Sequence, residues 1–185
     1  PFEWLEGFDE LEKLIHEVTN GRFDSKILNS GCGNSLLPER MYEAGWKQIV
    51  NIDISAVVIQ QMHDRNNKLR PELQWLVMDS THSTFPDNTF DVVIDKSVLD
   101  TFACGEHSHK VINKYLHEMC RVLKPDGCFL CVSYGSPTTR TSYFESGPQD
   151  FSLRIVDLPV REGCANPHYA FILRKAAVPS HAKQM

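Results

Sequence analysis

The stretch Ile27-Leu28-Asn29-Ser30-Gly31-Cys32-Gly33-Asn34-Ser35 decides how the rest of the chain is read. An apolar run enters two glycines one residue apart, and Ser35 stands where it can cap the helix that Leu36, Leu37 and Met41 would carry. The pattern is strand, tight turn, helix start. Gly31 and Gly33 permit positive φ and close backbone approach, and the free N–H groups at the helix N-terminus point at whatever occupies the turn. A negatively charged or hydroxyl-rich ligand suits it. The same glycines would also serve a strand-to-helix turn that binds nothing, and the deciding residue is Asp53. It closes Ile49-Val50-Asn51-Ile52-Asp53, a second strand ending about 20 residues beyond the glycines, where a ribose-binding acid belongs in a nucleotide-binding βαβ unit. Ser35 and Pro38 stand near where further glycines would admit a pyrophosphate, so a nucleoside without phosphates fits better.

With 185 residues the chain is long enough to bury a proper core, and residues 1–185 are read as a single domain. A hydrophobic fraction of 42% beside a charged fraction of 23% is that of a soluble globular protein. No apolar run approaches membrane-crossing length, and Pro1-Phe2-Glu3-Trp4 is neither basic nor signal-like, so a cytosolic or organelle-lumen enzyme is expected, with the cytoplasmic location preferred. The chain opens without an initiator Met, so an upstream segment, with any targeting signal it carries, is expected to be missing. A net charge of −5 with no Lys/Arg run leaves no footprint for a phosphate backbone, which disfavours nucleic acid and suits a basic protein segment better. The six cysteines are read as reduced thiols. Cys128 and Cys131 lie in one apolar strand at an odd separation, on opposite faces, which argues against a Cys-x-x-Cys metal knuckle. His107-Ser108-His109 has no partner pair at finger spacing, and no metal site is expected.

Phe8, Leu11, Leu14, Ile15 and Val18 form one stripe of a helix over residues 7–18 that ends at Asn20-Gly21. A second helix runs from Leu36 to Ala44, and Ser55 caps a third through Val57, Val58, Gln61 and Met62 that fades over residues 64–68. Trp75 to Met78 make a third strand ending in Asp79-Ser80, and Phe90 to Asp95 a central strand ending at Asp95-Lys96. Ile112, Tyr115, Leu116, Met119 and Leu123 place a helix over 109–123, which Pro125-Asp126-Gly127 stops. Cys128 to Tyr134 is a fifth strand and residues 135–148 a Ser/Thr/Gly-rich loop. Phe151 to Val156 and His168 to Leu173, with no helix between them, read as an antiparallel hairpin at the sheet edge. The whole is a doubly wound α/β sheet with a hairpin appended. Ligands bind such sheets at the carboxyl ends of the strands, so Gly31, Asp53, Asp79 and Asp95-Lys96 are expected to converge there.

Gly31-Cys32-Gly33-Asn34-Ser35, Asn51-Ile52-Asp53-Ile54-Ser55, Met78-Asp79-Ser80, Phe90-Asp91-Val92-Val93-Ile94-Asp95-Lys96 and Arg121-Val122-Leu123-Lys124-Pro125-Asp126-Gly127 carry a resemblance over nearly the whole chain. In order and spacing the sequence resembles the class I S-adenosylmethionine-dependent methyltransferases. Within that class, Gly31 to Ser35, the run Asp95-Lys96-Ser97-Val98-Leu99-Asp100 and Phe2-Glu3-Trp4 look like the methyltransferase-like branch that includes elongation factor 1-alpha lysine methyltransferases. The resemblance implies a Rossmann-like, seven-stranded, mostly parallel sheet with a C-terminal antiparallel hairpin, S-adenosylmethionine as cofactor and S-adenosylhomocysteine as product. It implies Gly31 and Gly33 against the methionine part, Asp53 on the ribose hydroxyls and Ile54 against the adenine. Asp79 would accept from the adenine amino group with Ser80 beside it, Lys96 would border the methionine end, and Trp4 would close over the cofactor. Three features depart from the pattern: Asn29 stands where many members carry an acid, Leu5 replaces an aromatic, and the branch's upstream Tyr/Trp/Arg segment has no counterpart. Asp91 and Asp100 suit caps or turns equally well, and Lys96 suits a surface charge.

Methyl transfer from a sulfonium is an in-line displacement by a nucleophile that the substrate supplies, so the enzyme positions and desolvates, and no residue is assigned a catalytic role. A lysine acceptor must first lose its proton, which an apolar or aromatic channel assists by lowering the ammonium pKa. Tyr134, Tyr143, Phe144 and Tyr169 are candidates for that channel, and acceptor choice is expected in the loops over 103–109 and 135–148. No Asn/Asp-Pro-Pro-Tyr/Phe segment follows the fourth strand, which argues against amino methylation of nucleobases; metal-assisted catechol-type O-methylation lacks its acid cluster. The expected function is N-methylation of a lysine in a protein substrate of the elongation factor 1-alpha type. A small-molecule methyltransferase and a non-catalytic cofactor-binding partner module are the alternatives.

Overall fold

Strand β1 (Ile27–Ser30) is buried along its whole length because it lies between two parallel neighbours, β2 (Ile49–Asp53) and β4 (Phe90–Lys96). The computed structural model describes residues 3–160 and 167–177, and within them seven strands make one sheet. Outside β2 lies β3 (Gln74–Val77); beyond β4 come β5 (Leu123–Ser133), β7 (Tyr169–Lys175) and β6 (Phe151–Asp157). The first five in that order are parallel, and β7 runs antiparallel to both β5 and β6.

Alternation along the central strands divides the core in two. Ile27, Ile49, Ile94, Cys128, Leu130 and Val132 face a layer made by α1 (Phe8–Val18), α2 (Leu37–Ala44) and α3 (Ala56–Asn66). Leu28, Val50, Val93, Phe129 and Cys131 face the other layer, made by α4 (Val98–Ala103), α5 (Ser108–Val122) and α6 (Pro137–Glu145). Cys128 and Cys131 therefore lie on opposite faces, as their separation implies. Cys32, Cys104, Cys120, Cys128 and Cys131 are free thiols, while Cys164 and Phe2 lie outside the described residues. Among the described residues no helix is long and apolar enough to cross a membrane.

Several elements differ from the sequence reading, each for a local reason. The hairpin enters the sheet by its second strand: Ala170 to Leu173 are all buried, so β7 takes the inner place beside β5, and the alternately exposed β6 forms the edge. Pro125-Asp126-Gly127 is an irregularity inside β5 rather than a turn before it. Leu123 already pairs with Phe90, and the next pair is Val92 with Cys128. Asp126 takes a left-handed φ of 63° there, and a Cβ on Gly127 would stand 2.7 Å from the Lys124 carbonyl. Helix α2 starts one residue later than the capping pattern places it, with Leu36 as N-cap, and Ser35 Oγ accepts from the Leu37 amide at 3.0 Å. Ser55 does cap α3, accepting from the Val58 amide. The segment over 135–148, read as a loop, contains α6, and the short α4 was not anticipated either.

Candidate functional site

Parallel pairing aligns the strand ends. Ser30 is level with Ile52 and Asp95, Asp53 with Val77, and Lys96 with Val132, so the residues that follow each strand gather at one edge. Gly31 and Gly33 both take left-handed φ, 58° and 52°. Gly31 is also demanded by space, since a Cβ there would fall 2.2 Å from Val98 Cγ2, whereas a Cβ on Gly33 would meet nothing within 4 Å. The turn presents an amide to β2, the Gly33 N–H donating to Asp53 Oδ2 at 2.9 Å, and the Ser55 N–H at the start of α3 donates to Asp53 Oδ1 at 2.9 Å. Two main-chain donors thus fix the carboxylate, and it keeps acceptor capacity for a ligand. Next to it Ile54 is 75% exposed, an apolar surface left uncovered at the rim.

Asp79 follows β3, with its Oδ1 accepting from the Thr81 amide at 2.8 Å, and Met78 donates through its N–H to the Asp53 carbonyl at 2.9 Å. The two strand ends are therefore tied together. Lys96 is not a surface charge: its Nζ donates to the Glu3 carboxylate, to the Trp4 carbonyl at 2.9 Å and to the Glu6 carbonyl at 3.1 Å, and its side chain is almost fully covered. Glu3 in turn accepts from Ser35 Oγ at 2.7 Å and the Leu36 amide at 3.0 Å, so the N-terminal strap is fastened across the glycine turn. Trp4, at 63% exposure, reaches the cavity rim from this strap. Leu5 has left-handed φ and packs on the α1 to α3 core layer.

Trp4, Gly31, Gly33, Asp53, Ile54, Asp79, Ser80 and Lys96, the residues singled out from sequence, all line one cavity of about 510 Å³. Met78, Ser97, Val98, Asp100, Thr101, Phe102, Cys104 and Tyr134 complete its wall. Of these, Ser97 to Cys104 come from the unanticipated α4 and its flanks; the run Asp95 to Asp100 was the available signal. Of the proposed aromatic channel only Tyr134 reaches the cavity. Phe144 is buried against Phe171, Tyr143 stacks on His109, and Tyr169 lies where β7 begins. Asp91 sits at the opposite end of the sheet, bound to the Lys26 amide and Lys124.

Two acids are buried at the wall, Asp100 on it and Asp95 behind it. Asp95 Oδ1 accepts from the Val98 amide at 2.8 Å, and its Oδ2 from the Leu99 amide at 3.1 Å and the Tyr115 hydroxyl at 3.0 Å. Burial, reinforced by the neighbouring Asp100 and opposed by these donors, pushes the Asp95 carboxyl up to about 7. Asp100 is paired with Arg140 of α6. Burial and the Asp53 charge push the Cys32 thiol up, so it stays protonated and inert in the turn. Asn29 Nδ2 donates to Asn51 Oδ1 at 3.0 Å, joining β1 to β2 below the glycines. Among the described residues no group of three or more His, Cys, Asp or Glu is placed to hold a metal ion.

Residues 28–131 match the family model described as methyltransferase domain. The chain is 43% identical over 134 residues to the eEF1A lysine and N-terminal methyltransferase of Mus musculus, a match covering 71% of this chain and 19% of that protein. It is 32% identical over 162 residues to the EEF1A lysine methyltransferase 4 of Bos taurus, covering 83% of this chain and 62% of the relative. The chain thus spans about a fifth of the first and less than two thirds of the second. Its fold is shared with the N-methyltransferase NodS from Bradyrhizobium japonicum WM9 in complex with S-adenosyl-L-homocysteine, at a TM-score of 0.71 and 15% identity over 90% of this chain and 86% of that one.

Proposed function

The chain belongs to the methyltransferase domain family, and on that premise we propose that it is an S-adenosylmethionine-dependent methyltransferase that N-methylates a lysine of a protein substrate. The observation that carries the reading is the gathering of the glycine turn, Asp53, Ile54, Asp79 and Lys96 around one cavity. These residues fit the cofactor on structural grounds. A Cβ on Gly33 would meet nothing within 4 Å, so the turn leaves open space beside Asp53, and Asp53 is anchored by two amides with acceptor capacity left for vicinal hydroxyls. Ile54 offers uncovered apolar surface for a base. Asp53 would hold the ribose, Ile54 the adenine face and Asp79 the adenine amino group, while the glycine turn and Lys96 would border the methionine end under Trp4.

When bound, S-adenosylmethionine supplies a methyl group activated by its sulfonium. The acceptor amine would have to be neutral, its proton passed to solvent, to take that methyl group on its lone pair. The chain contributes alignment and exclusion of water. At the Tyr134 side of the cavity the one carboxylate on the wall, Asp100, is engaged by Arg140, Ser133 and the Tyr134 amide. Desolvation beside Phe102 and Tyr134 is what favours the neutral amine. The names of the relatives support elongation factor 1-alpha as the substrate to try. The test is transfer of labelled methyl from S-adenosylmethionine to purified eEF1A, with the modified residue mapped by mass spectrometry. Label on a lysine supports the reading; label confined to the N-terminal amine, or none, refutes it.

A further inference from the structure

Strand order puts β2 and β3 on one side of the glycine turn and β4 and β5 on the other, so the cavity has a second half lined by Thr101, Phe102, Cys104 and Tyr134. That half has a construction of its own. Asp100, in the first turn of α4, does not cap the helix but reaches across to α6. Its Oδ1 accepts from Arg140 Nε at 3.1 Å, from Arg140 Nη2 at 3.0 Å and from Ser133 Oγ, and its Oδ2 accepts from the Tyr134 amide at 3.1 Å. Gly135, between Tyr134 and α6, serves the same arrangement: a Cβ there would fall 2.3 Å from Arg140 Nε and 2.4 Å from its Cζ. The guanidinium stands over the Tyr134 ring, 5.5 Å from its centroid, and the Tyr134 hydroxyl lies 3.3 Å from Cys104 Sγ.

A buried ion pair is a weak source of stability, because desolvation offsets most of the attraction. What this one does is hold a single side chain still. Arg140 and Asp100 are both buried, while Tyr134, which they fix through its amide and its ring, is 48% exposed at the cavity. We propose that Asp100 and Arg140 are positioning residues that clasp Tyr134 as the wall against which the acceptor side chain is aligned for methyl transfer. The inference rests on the methyltransferase reading above. A tyrosine face suits the methylenes and the cationic head of a lysine, before and after methylation. The fork of Arg140 matters because both bonds to Asp100 leave from adjacent nitrogens of one plane, a geometry that an ammonium cannot reproduce.

The test compares Arg140→Lys, Tyr134→Phe and Tyr134→Ala with the unsubstituted full chain by calorimetric titration with S-adenosylhomocysteine, thermal melting and steady-state methylation of purified eEF1A. Arg140→Lys is expected to bind S-adenosylhomocysteine within about threefold of the unsubstituted chain, yet to lose about 10- to 100-fold in kcat/KM, mostly in kcat, as misalignment does. Tyr134→Ala is expected to fall with it, and Tyr134→Phe, which keeps the ring, to recover most of that loss; a Tyr134→Phe as slow as Tyr134→Ala overturns the proposal. Unchanged kcat/KM in Tyr134→Ala overturns the proposal, even if Arg140→Lys fails to fold. So does a loss in Arg140→Lys that disappears on cooling below its melting range. Failure of the unsubstituted chain to bind S-adenosylhomocysteine or to methylate eEF1A overturns the methyltransferase reading itself and this inference with it.

Discussion

Replacing Gly31 by Ala separates two costs that the glycine turn carries together. The first is conformational: φ at Gly31 is +58°, and a non-glycine residue in that region costs about 1–2 kcal/mol. The second is steric, because the new Cβ would stand 2.2 Å from Val98 Cγ2 in a packed wall, and overpacking of that kind costs about 1–3 kcal/mol. Gly31→Ala is therefore expected to destabilise by about 2–5 kcal/mol. Gly33→Ala is the internal control. Its φ is +52° but a Cβ there meets nothing within 4 Å, so only the conformational cost, about 1–2 kcal/mol, applies. Val98→Ala made in the Gly31→Ala background removes the opposing methyls and is expected to recover the steric part while leaving the conformational part. The assay is urea unfolding followed by circular dichroism, with Gly31→Ala, Gly33→Ala, Val98→Ala, the Gly31→Ala/Val98→Ala double variant and the unsubstituted chain compared at constant m-value. Equal losses for the two glycine substitutions, or Gly31→Ala and Val98→Ala effects that add within about 0.5 kcal/mol, would refute the reasoning.

Asp95 has a folded-state carboxyl raised from 3.8 to about 7, so between these values the folded chain holds a proton that the unfolded chain has lost, and stability from this residue declines as pH rises through that window. Relative to the unsubstituted chain, Asp95→Asn is expected to gain up to about 4 kcal/mol between pH 4 and pH 7, at about 1.4 kcal/mol per pH unit; a difference in unfolding free energy that does not vary with pH would contradict this. Lys96→Met removes the ammonium that binds Glu3 and the Trp4 and Glu6 carbonyls. Amide hydrogen exchange in residues 3–7 is expected to rise by about tenfold or more, reporting local opening of the strap. Unchanged protection would mean that other contacts hold it.

The parts of this fold that were legible are those whose signal is local. The apolar runs that enter Gly31 and end at Asp53 name the central strands, because strands buried on both faces read as near-continuous rather than alternating. Gly31, Asp53, Asp79 and Lys96 each end a strand or follow one within two residues, so parallel pairing brings them together. Helix α6 escaped because only Arg140 and Phe144 of it are buried, too few to print a stripe; the Ser136-Pro137 pair, an extended residue before Pro at the first helical position, was the sign available. The contacts that shape the cavity escaped for a different reason. Lys96 meets Glu3 across 93 residues of chain and Asp100 meets Arg140 across 40, and no periodicity records such pairs. The place of β7 beside β5 follows from its burial on both faces, which a hairpin pattern by itself does not express.

The most direct test of the cofactor site is a calorimetric titration of the full chain with S-adenosylhomocysteine, repeated with Asp53→Ala. The Asp53 carboxylate is held by the Gly33 and Ser55 amides and has capacity left for two ribose hydroxyls, each such charge-assisted bond contributing about 1.5–3 kcal/mol. Saturable binding to the unsubstituted chain is expected, and at least about 100-fold weaker binding to the variant, at about 1.4 kcal/mol per tenfold. A folded chain that takes up no S-adenosylhomocysteine, or a variant that binds it as tightly as the unsubstituted chain, would contradict this expectation.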